Sequence, residues 1–265
     1  MEFQEYREII DGIGARRSLG QSFMVNESIA RMEAAYGKGM NVLELGPGLG
    51  ILTRELCASA RSVVAVEKDP RLTDMLKMSI KSRRLRLVGR DFFEVDAGSF
   101  GKPDIMISNI PYSLSSKVIQ WLLEHRMPAL ICVQREFADH MTAIPGTRDY
   151  SKLSVVSSLA FKVHKVKEVA AGNFYPKPKV DSEIVYLAPR STELSGSEMS
   201  TISLLMNHKK KRLRNAIMDS CKSLRLDRRA ARKLSEEVGE STVRPFQMGP
   251  SELLEVSRRI NALLE

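Results

Sequence analysis

Residues that build disulfide frameworks and zinc sites are scarce in this sequence. Its three cysteines, Cys57, Cys132 and Cys221, are odd in number and far apart, and none belongs to a Cys-x-x-Cys pair. The four histidines do not show the spacing typical of metal ligands. We therefore expect free, buried thiols in a reducing cytoplasm, with no disulfide framework and no metal site.

Long apolar runs are also absent. No stretch approaches the length that spans a bilayer, and residues 1–17 carry mixed charge without the apolar core of a signal peptide. The 265 residues are 43% hydrophobic and 28% charged, which is typical of a globular protein with one large core and room for a small appendage. We expect a cytoplasmic protein without a membrane segment.

Positive charge is concentrated in one segment. The net charge is +9, and residues 207–233 contain eleven Lys and Arg but only two acidic residues. The rest of the chain is therefore close to neutral. A concentrated basic segment is typical of proteins that bind polyanions, with nucleic acid first and an anionic membrane second. The alternative is a solvated helical face, which is the commoner explanation of a lone charge run.

Apolar strands alternate with helical patterns over the first part of the chain. Asn26 is predicted to cap a helix that runs to about Lys38. Helices are also predicted over 51–58 and 114–124, and one more begins at Pro70. The predicted strands are 41–45, 62–67, 85–88, 104–108, 129–133, 162–170 and 182–188. This alternation predicts an α/β fold with a doubly wound, mostly parallel seven-stranded sheet that is covered on both faces.

The composition changes after Pro189. Residues 191–197 are typical of a linker, and from Met199 onward the pattern is helical and includes the basic segment. We expect a domain at 1–190 and a small all-α domain at 191–265.

A glycine-rich turn, Gly46-Pro47-Gly48-Leu49-Gly50, follows the first strand of this sheet. Ligands of open α/β sheets bind at the carboxyl ends of the strands, where glycine lets the backbone come close. Ile51 stands where the dinucleotide fingerprint has its last glycine, which argues against a dehydrogenase. Glu67 ends the next strand and is placed to accept hydrogen bonds from both ribose hydroxyls. Asp91 follows the third strand and either accepts from an adenine amino group or caps a turn.

The tetrapeptide Asn109-Ile110-Pro111-Tyr112 ends the fourth predicted strand. A carboxamide, a stiff proline turn and an aromatic face suit methylation of an exocyclic amine on a flat base. The Asn109 side-chain oxygen and the Ile110 carbonyl can each accept one proton of that amine, which directs its lone pair toward a methyl donor. Without further support, Tyr112 and Phe174 are more simply explained as packing aromatics.

These motifs together resemble the ribosomal RNA adenine dimethyltransferase family, which methylates N6 of adenosine with S-adenosylmethionine. The matching segments, in family order, are 19–23, the glycine turn, Val66-Glu67, Asp91-Phe92, Asn109–Tyr112 and 174–182. The resemblance implies a Rossmann-like methyltransferase domain, a monomer and, as substrate, two adjacent adenosines near the 3′ end of small-subunit rRNA. It also implies a role in biogenesis of the small ribosomal subunit.

The resemblance implies three sets of site residues. The catalytic set is Asn109, Ile110, Pro111, Tyr112 and Phe174, where Phe174 clamps the target base. The S-adenosylmethionine set is Gln21, Ser22, Met24, Gly46, Gly48, Glu67, Lys68, Asp91, Phe92 and Asn109. The RNA set is Arg16, Arg17, Lys209, Lys210, Lys211, Arg212, Arg214, Arg228 and Arg229. The family usually has Asn at position 22, so the shorter Ser22 leaves a side-chain contact with the cofactor open.

Two other functions remain possible at this point. One is a DNA adenine or glutamine methyltransferase with the same catalytic turn, although such DNA enzymes often carry Asp where this chain has Asn109. The other is a ribosome-assembly or transcription factor that kept the fold for binding. An intact Asn109–Tyr112 motif argues against loss of catalysis.

Overall fold

The computed structural model describes residues 3–14, 22–238 and 242–264. The predicted site residues Arg16, Arg17 and Gln21 lie outside these ranges. The described residues form two compact units, one drawn from 1–135 and 164–188 and the other from 136–163 and 189–265.

The first unit is built around a seven-stranded sheet. The strands of the protein are β1 (Phe23–Met24), β2 (Asn41–Leu45), β3 (Ser62–Val66), β4 (Leu85–Val88), β5 (Ile105–Asn109), β6 (Ala129–Gln134), β7 (Phe161–Val169), β8 (Phe174–Tyr175) and β9 (Ser182–Pro189). The order in the large sheet is β4-β3-β2-β5-β6-β9-β7, and β1 pairs separately with β8. Strands β2 to β6 pair in parallel and β9 is antiparallel to β6. The predicted fold class is confirmed.

The helices of the described residues are divided between the two units. They are α1 (Phe3–Ile13), α2 (Glu27–Ala35), α3 (Ile51–Ser59), α4 (Pro70–Ser79), α5 (Ser115–His125), α6 (Arg135–Thr142), α7 (Lys152–Ala160), α8 (Gly196–Asn207), α9 (Leu213–Asp219), α10 (Arg228–Glu237) and α11 (Pro250–Ala262). The Asn26 side chain accepts the N–H groups of Ser28 and Ile29 and so caps α2, as predicted. Asp69 caps α4, and Pro70 occupies its first turn.

The core of the first unit packs the sheet against its helices. Val42 and Ile107 are buried on neighbouring strands, and Leu56 of α3 joins the same cluster. The continuous apolar run Ala129–Val133 of β6, and the burial of four of the five residues of β2, follow from a parallel sheet covered on both faces. Trp121 is 9% exposed and packs edge-on against Phe92.

The second unit includes a segment that the sequence pattern assigns to the first domain. Helix α7 contacts α8 and α11, and its Val155 and Leu159 belong to the same apolar cluster as Ile202. The sequence does not predict this helix because its serines and β-branched residues have modest helix propensity, so packing of its apolar face decides its structure. The observed units therefore differ from the 1–190 and 191–265 division at residues 136–163.

None of the helices within the described ranges is both long and apolar enough to cross a lipid bilayer.

We predict that Gly50→Ala destabilises the first unit by about 2 kcal/mol. Gly50 has φ 76°, and a Cβ built there lies 2.5 Å from Leu76 Cδ2 and 2.7 Å from Ile80 Cδ1. The variant therefore combines backbone strain with overpacking. Denaturant unfolding measures the change.

The matched control is Gly39→Ala. Gly39 has a similar φ of 71°, but a Cβ added there would meet no atom within 4 Å. This variant isolates the backbone cost of about 1 kcal/mol. Equal losses of stability in the two variants would contradict the packing explanation for Gly50.

Candidate active site

The site forms where the strand order reverses. Strand β2 pairs with β3 on one side and with β5 on the other, so the carboxyl ends of β2 and β5 lie next to each other. The Ser108 hydroxyl donates to the Leu45 carbonyl and links the two strands directly before they end. The glycine turn follows β2 and Asn109 ends β5. Such a reversal opens the crevice in which open α/β sheets bind ligands.

The glycine turn and Glu67 are held together by backbone hydrogen bonds. Gly48 N donates to Glu67 Oε2 over 3.2 Å, and Asp69 N donates to Glu67 Oε1 over 2.9 Å. Gly48 has φ 57°, and a Cβ there would lie 2.8 Å from Phe23 Cδ1. Glycine is therefore required at this position by both the backbone angle and the available space. Burial raises the pKa of Glu67, and the backbone N–H donors oppose that shift.

Asp91 lies three residues beyond the end of β4. Its side chain accepts the N–H of Phe93 over 3.1 Å and lies 3.7 Å from Lys68 Nζ. Asp91 therefore caps this turn, and its carboxylate also lies close to the Lys68 cation. Phe92 is buried and stacks on Phe100, which fixes the loop that carries Asp91.

A first cavity collects most of the residues predicted to bind the cofactor. It is lined by Ser22, Met24, Gly46, Gly48, Glu67, Lys68, Asp91, Phe92, Asn109 and Pro111, together with others such as Phe23, Glu44 and Arg90. Residues from β1, from the glycine turn and from the ends of β3, β4 and β5 thus share one space. This arrangement brings together every described residue of the predicted cofactor set.

A second, smaller cavity contains the predicted catalytic residues. Its lining consists of Ser22, Asn109, Ile110, Pro111, Tyr112, Cys132 and Phe174. The Tyr112 hydroxyl and Ser182 Oγ are 2.6 Å apart, which anchors the tip of the Tyr112 side chain. Phe174 is 4% exposed and packs in the core as well as against the cavity. Ser22, Asn109 and Pro111 line both cavities, so the two meet at these residues.

The Asn109 carboxamide is paired on one side only. Its Nδ2 donates to Glu33 Oε2 of α2 over 3.0 Å. Its Oδ1 is buried, and no described residue donates to it. A buried acceptor without a partner costs about 1–3 kcal/mol. Such an atom in a cavity is a candidate for recognition of a ligand donor.

Two further carboxyl groups in this region are buried, and the sequence motifs do not predict them. Glu33 is 0% exposed and Glu44 is 1% exposed. Burial raises the pKa of each to about 8; the neighbouring carboxylates of Glu33 and Glu67 add to the shift at Glu44. No group of three or more His, Cys, Asp and Glu within the described residues is arranged to hold a metal ion.

The segment that begins at Ser22 is joined to the segment around Phe174. Strand β1 pairs with β8, and Val25 N donates to the Asn173 carbonyl over 2.9 Å. The Ser22 hydroxyl donates to the Pro176 carbonyl over 2.7 Å. The Ser22 side chain is therefore bonded to the loop that contains Pro176. The sequence had left open whether this side chain contacts the cofactor.

The basic residues predicted to bind RNA differ in their surroundings within the second unit. Lys209 Nζ donates to the carbonyls of Arg148 and Tyr150, so this cation is part of the internal structure. Lys211 pairs with Asp219 at 2.6 Å and Arg214 with Glu236 at 3.2 Å. Exposed side chains that form no ion pair with a described residue are Lys210, Arg212, Arg228 and Arg229.

Sequence patterns miss Glu33, Glu44, Cys132 and Ser182. A signal for Glu33 is present, since it shares the buried face of α2 with Ile29, Ala30 and Ala34 at helical spacing. A charged residue on an apolar face is unusual and indicates a specific partner. Nothing in the linear pattern indicates that this partner is Asn109, 76 positions later.

The fold and the site define a Rossmann-like methyltransferase, and comparisons with known proteins identify its family. The sequence model of the family "Ribosomal RNA adenine dimethylase" matches residues 13–241. A probable ribosomal RNA small subunit methyltransferase A from Methanopyrus kandleri is 37% identical over 279 residues, covering 100% of this chain and 99% of the relative. A relative of the same name from Methanothermobacter thermautotrophicus is 33% identical, covering 98% and 97%.

Solved structures agree with this result. The crystal structure of a dimethyladenosine transferase from Plasmodium falciparum has a TM-score of 0.77 at 26% identity, covering 91% of this chain and 98% of that one. The 23S rRNA methyltransferase ErmE has a TM-score of 0.61 at 25% identity, covering 90% and 99%. The chain belongs to the ribosomal RNA adenine dimethylase family. The predicted resemblance, and with it the prediction of a methyltransferase enzyme, is confirmed.

We predict that Glu44→Gln makes the protein more resistant to high pH. The folded-state pKa of Glu44, about 8, lies above its unfolded value of about 4.5. The folded state therefore binds more protons between these values, and the stability that this group contributes at low pH is lost as pH rises through 8. The melting temperature of the variant minus that of the original protein is the quantity to compare. This difference should be more positive at pH 9 than at pH 5.

Glu94→Gln is the control because Glu94 is an exposed carboxylate of the same unit. It should shift the melting temperature about equally at both pH values. A Glu44→Gln difference that does not grow between pH 5 and pH 9 would contradict a buried carboxyl group with a raised pKa.

Proposed function

We propose that this protein uses S-adenosylmethionine to dimethylate N6 of two adjacent adenosines near the 3′ end of small-subunit rRNA. The observation that carries the proposal is the meeting of the two cavities at Asn109, whose Oδ1 is buried without a protein donor among the described residues. The groups that line the first cavity suit a nucleoside cofactor, and the carboxamide, carbonyl and aromatic groups at the second suit a flat base. The names of the relatives supply the choice of small-subunit rRNA.

The groups that line the first cavity support S-adenosylmethionine as the cofactor. Each Glu67 oxygen accepts one backbone N–H and keeps lone pairs for ribose hydroxyls. Glu44 Oε2 is buried at this cavity without a described partner, and a cationic ligand beside it would favour its ionised form. Met24, Phe92 and the glycine turn add apolar and close backbone surface. When bound, the cofactor supplies an electrophilic methyl group.

The catalytic turn prepares N6 of adenine as a nucleophile. The N6 lone pair is delocalised into the ring, so the free amine is a poor nucleophile. Asn109 Oδ1 and the Ile110 carbonyl can each accept one N6 proton, which favours a pyramidal nitrogen with its lone pair directed at the methyl group. This is catalysis by position and electrostatics and requires no strong base. A monomethylated N6 keeps one proton and a lone pair, so a second transfer is possible.

The second cavity provides aromatic surfaces for the base. Tyr112 offers one face and is anchored through Ser182. Phe174 offers the other and is held in β8, which pairs with β1. The target adenosine leaves its stack to enter, at a cost of a few kcal/mol that is lowest at an unpaired site.

The helical unit contributes charge for the RNA backbone. The exposed cations Lys210, Arg212, Arg228 and Arg229 suit phosphate contacts, which bind without reading base sequence. RNA shape then selects the site. We further propose that the protein acts as a cytoplasmic monomer on a precursor of the small ribosomal subunit.

The test is transfer of radiolabelled methyl groups from S-adenosylmethionine to undermethylated small ribosomal subunits, naked rRNA and duplex DNA, with nuclease mapping of the product. Label in dimethyladenosine on the subunit alone is the expected result. Label on duplex DNA, or no transfer to any substrate despite cofactor binding, would contradict the proposal.

We predict that Asn109→Ala lowers kcat at least about a hundredfold, because it removes an acceptor that acts on the reacting amine. RNA affinity, measured by filter binding, should remain within about twofold because the phosphate contacts are unchanged. Ser113→Ala, at an exposed position of the same turn, should retain normal turnover. Near-normal turnover of Asn109→Ala would remove Asn109 from the catalytic set.

We predict that the double variant Arg228→Gln/Arg229→Gln weakens RNA binding and lowers its dependence on salt concentration by about one unit of slope for each lost phosphate contact. Both side chains are exposed and form no ion pair with a described residue. Binding titrations at several salt concentrations measure the effect. An unchanged slope would mean that these residues form a solvated surface only.

Lys209→Met is expected to behave differently from this pair. Lys209 Nζ bonds two main-chain carbonyls, so its loss leaves these acceptors without that donor and lowers the melting temperature. Its effect on the salt slope should be small.

A further inference from the structure

Glu33 is a buried acid with one defined partner. It lies on the inward face of α2, is 0% exposed, and accepts the Asn109 Nδ2 proton at Oε2 over 3.0 Å. Its second oxygen, Oε1, is buried and has no described donor. A buried carboxyl group with incomplete hydrogen bonding is destabilising, so its presence calls for a functional explanation.

The Asn109 carboxamide can adopt two orientations of nearly the same shape. They differ in whether Oδ1 or Nδ2 points to the second cavity. Only Oδ1 can accept an N6 proton. If Nδ2 pointed to the cavity, its N–H groups would face the N–H groups of the target amine and no hydrogen bond would form. A carboxylate accepts and cannot donate, so opposite Glu33 only the orientation with Nδ2 toward Glu33 forms a hydrogen bond. That orientation leaves Oδ1 free of any described donor, as observed.

We propose that Glu33 is a positioning residue for methyl transfer, because its carboxylate holds the Asn109 carboxamide in the single orientation that presents Oδ1 to the target amine. This inference rests on the proposed function. Glu33 lines neither cavity and acts only through Asn109. The hydrogen bond also draws electron density toward Oδ1, which makes it a better acceptor.

The test exchanges the donor and the acceptor of this pair. Glu33→Gln alone allows either end of the introduced amide to face Asn109, so both Asn109 orientations become available. Asn109→Asp alone places two carboxyl groups in contact. In the double variant Glu33→Gln/Asn109→Asp, the introduced amide donates to the introduced carboxylate, whose other oxygen is free for the substrate. The swap therefore restores a pair with one defined orientation.

Methylation of undermethylated small subunits is measured at pH 8.5, because burial raises the pKa of Glu33 to about 8 and the carboxylate is the required form. Glu33→Gln should lower kcat roughly ten- to a hundredfold, the effect of one hydrogen bond to a charged group. Cofactor affinity and KM for the subunit should not change. The kcat of the double variant Glu33→Gln/Asn109→Asp should be at least about tenfold higher than that of Asn109→Asp alone.

Wild-type kcat in Glu33→Gln would overturn the proposal. So would additive losses in the double variant, because they would mean that Glu33 does not act through Asn109. Glu94→Gln is the control, since Glu94 is an exposed acid of the same unit that lines neither cavity and has no bond to Asn109. It should not rescue Asn109→Asp.

Melting temperatures of the ligand-free variants at pH 8.5 give a second readout that does not depend on activity. Asn109→Asp should melt lower than the original protein, and adding Glu33→Gln should restore most of the difference. Additive shifts would overturn the pairing itself. The melting temperatures can show the Glu33–Asn109 pair even if the original protein methylates no substrate. In that case the proposed function fails, but the interaction between the two side chains is still demonstrated.

Discussion

The reversal of strand order between β2 and β5 is the constraint on which the site depends. Parallel pairing on both sides of β2 places the carboxyl ends of β2, β3 and β5 at one edge of the sheet. Residues that are far apart in the chain, Gly48, Glu67 and Asn109, thereby line one cavity. Because each lies at or just beyond the end of a buried strand, its backbone position is set by the core and does not depend on a long loop.

Buried acids give this edge its chemical character. Glu33, Glu44 and Glu67 are all at most 7% exposed, which is costly for carboxylates in the absence of a cation. The sheet and its helices supply the stability that offsets this cost. The result is a group of buried acids beside a neutral carboxamide whose Oδ1 has no described donor.

Several features could be predicted from the sequence. Strands of the sheet are marked by apolar runs, and their ends by Gly46, Glu67 and Asn109, because strand periodicity and turn chemistry are local properties. The family could be recognised because its motifs combine into a specific set. Helix α7 could not be predicted, since its structure depends on packing with α8 and α11.

The sequence by itself determined the fold class, the positions of the strand ends and the chemical groups available there, because these follow from residue type and near-neighbour spacing. Only the tertiary structure decided which of these groups meet. The bond from Asn109 to Glu33, the bond of Tyr112 with Ser182 and the bonds of Lys209 to two main-chain carbonyls join residues 76, 70 and about 60 positions apart. Such pairings depend on the packing of whole elements, which side-chain patterns along the chain do not record.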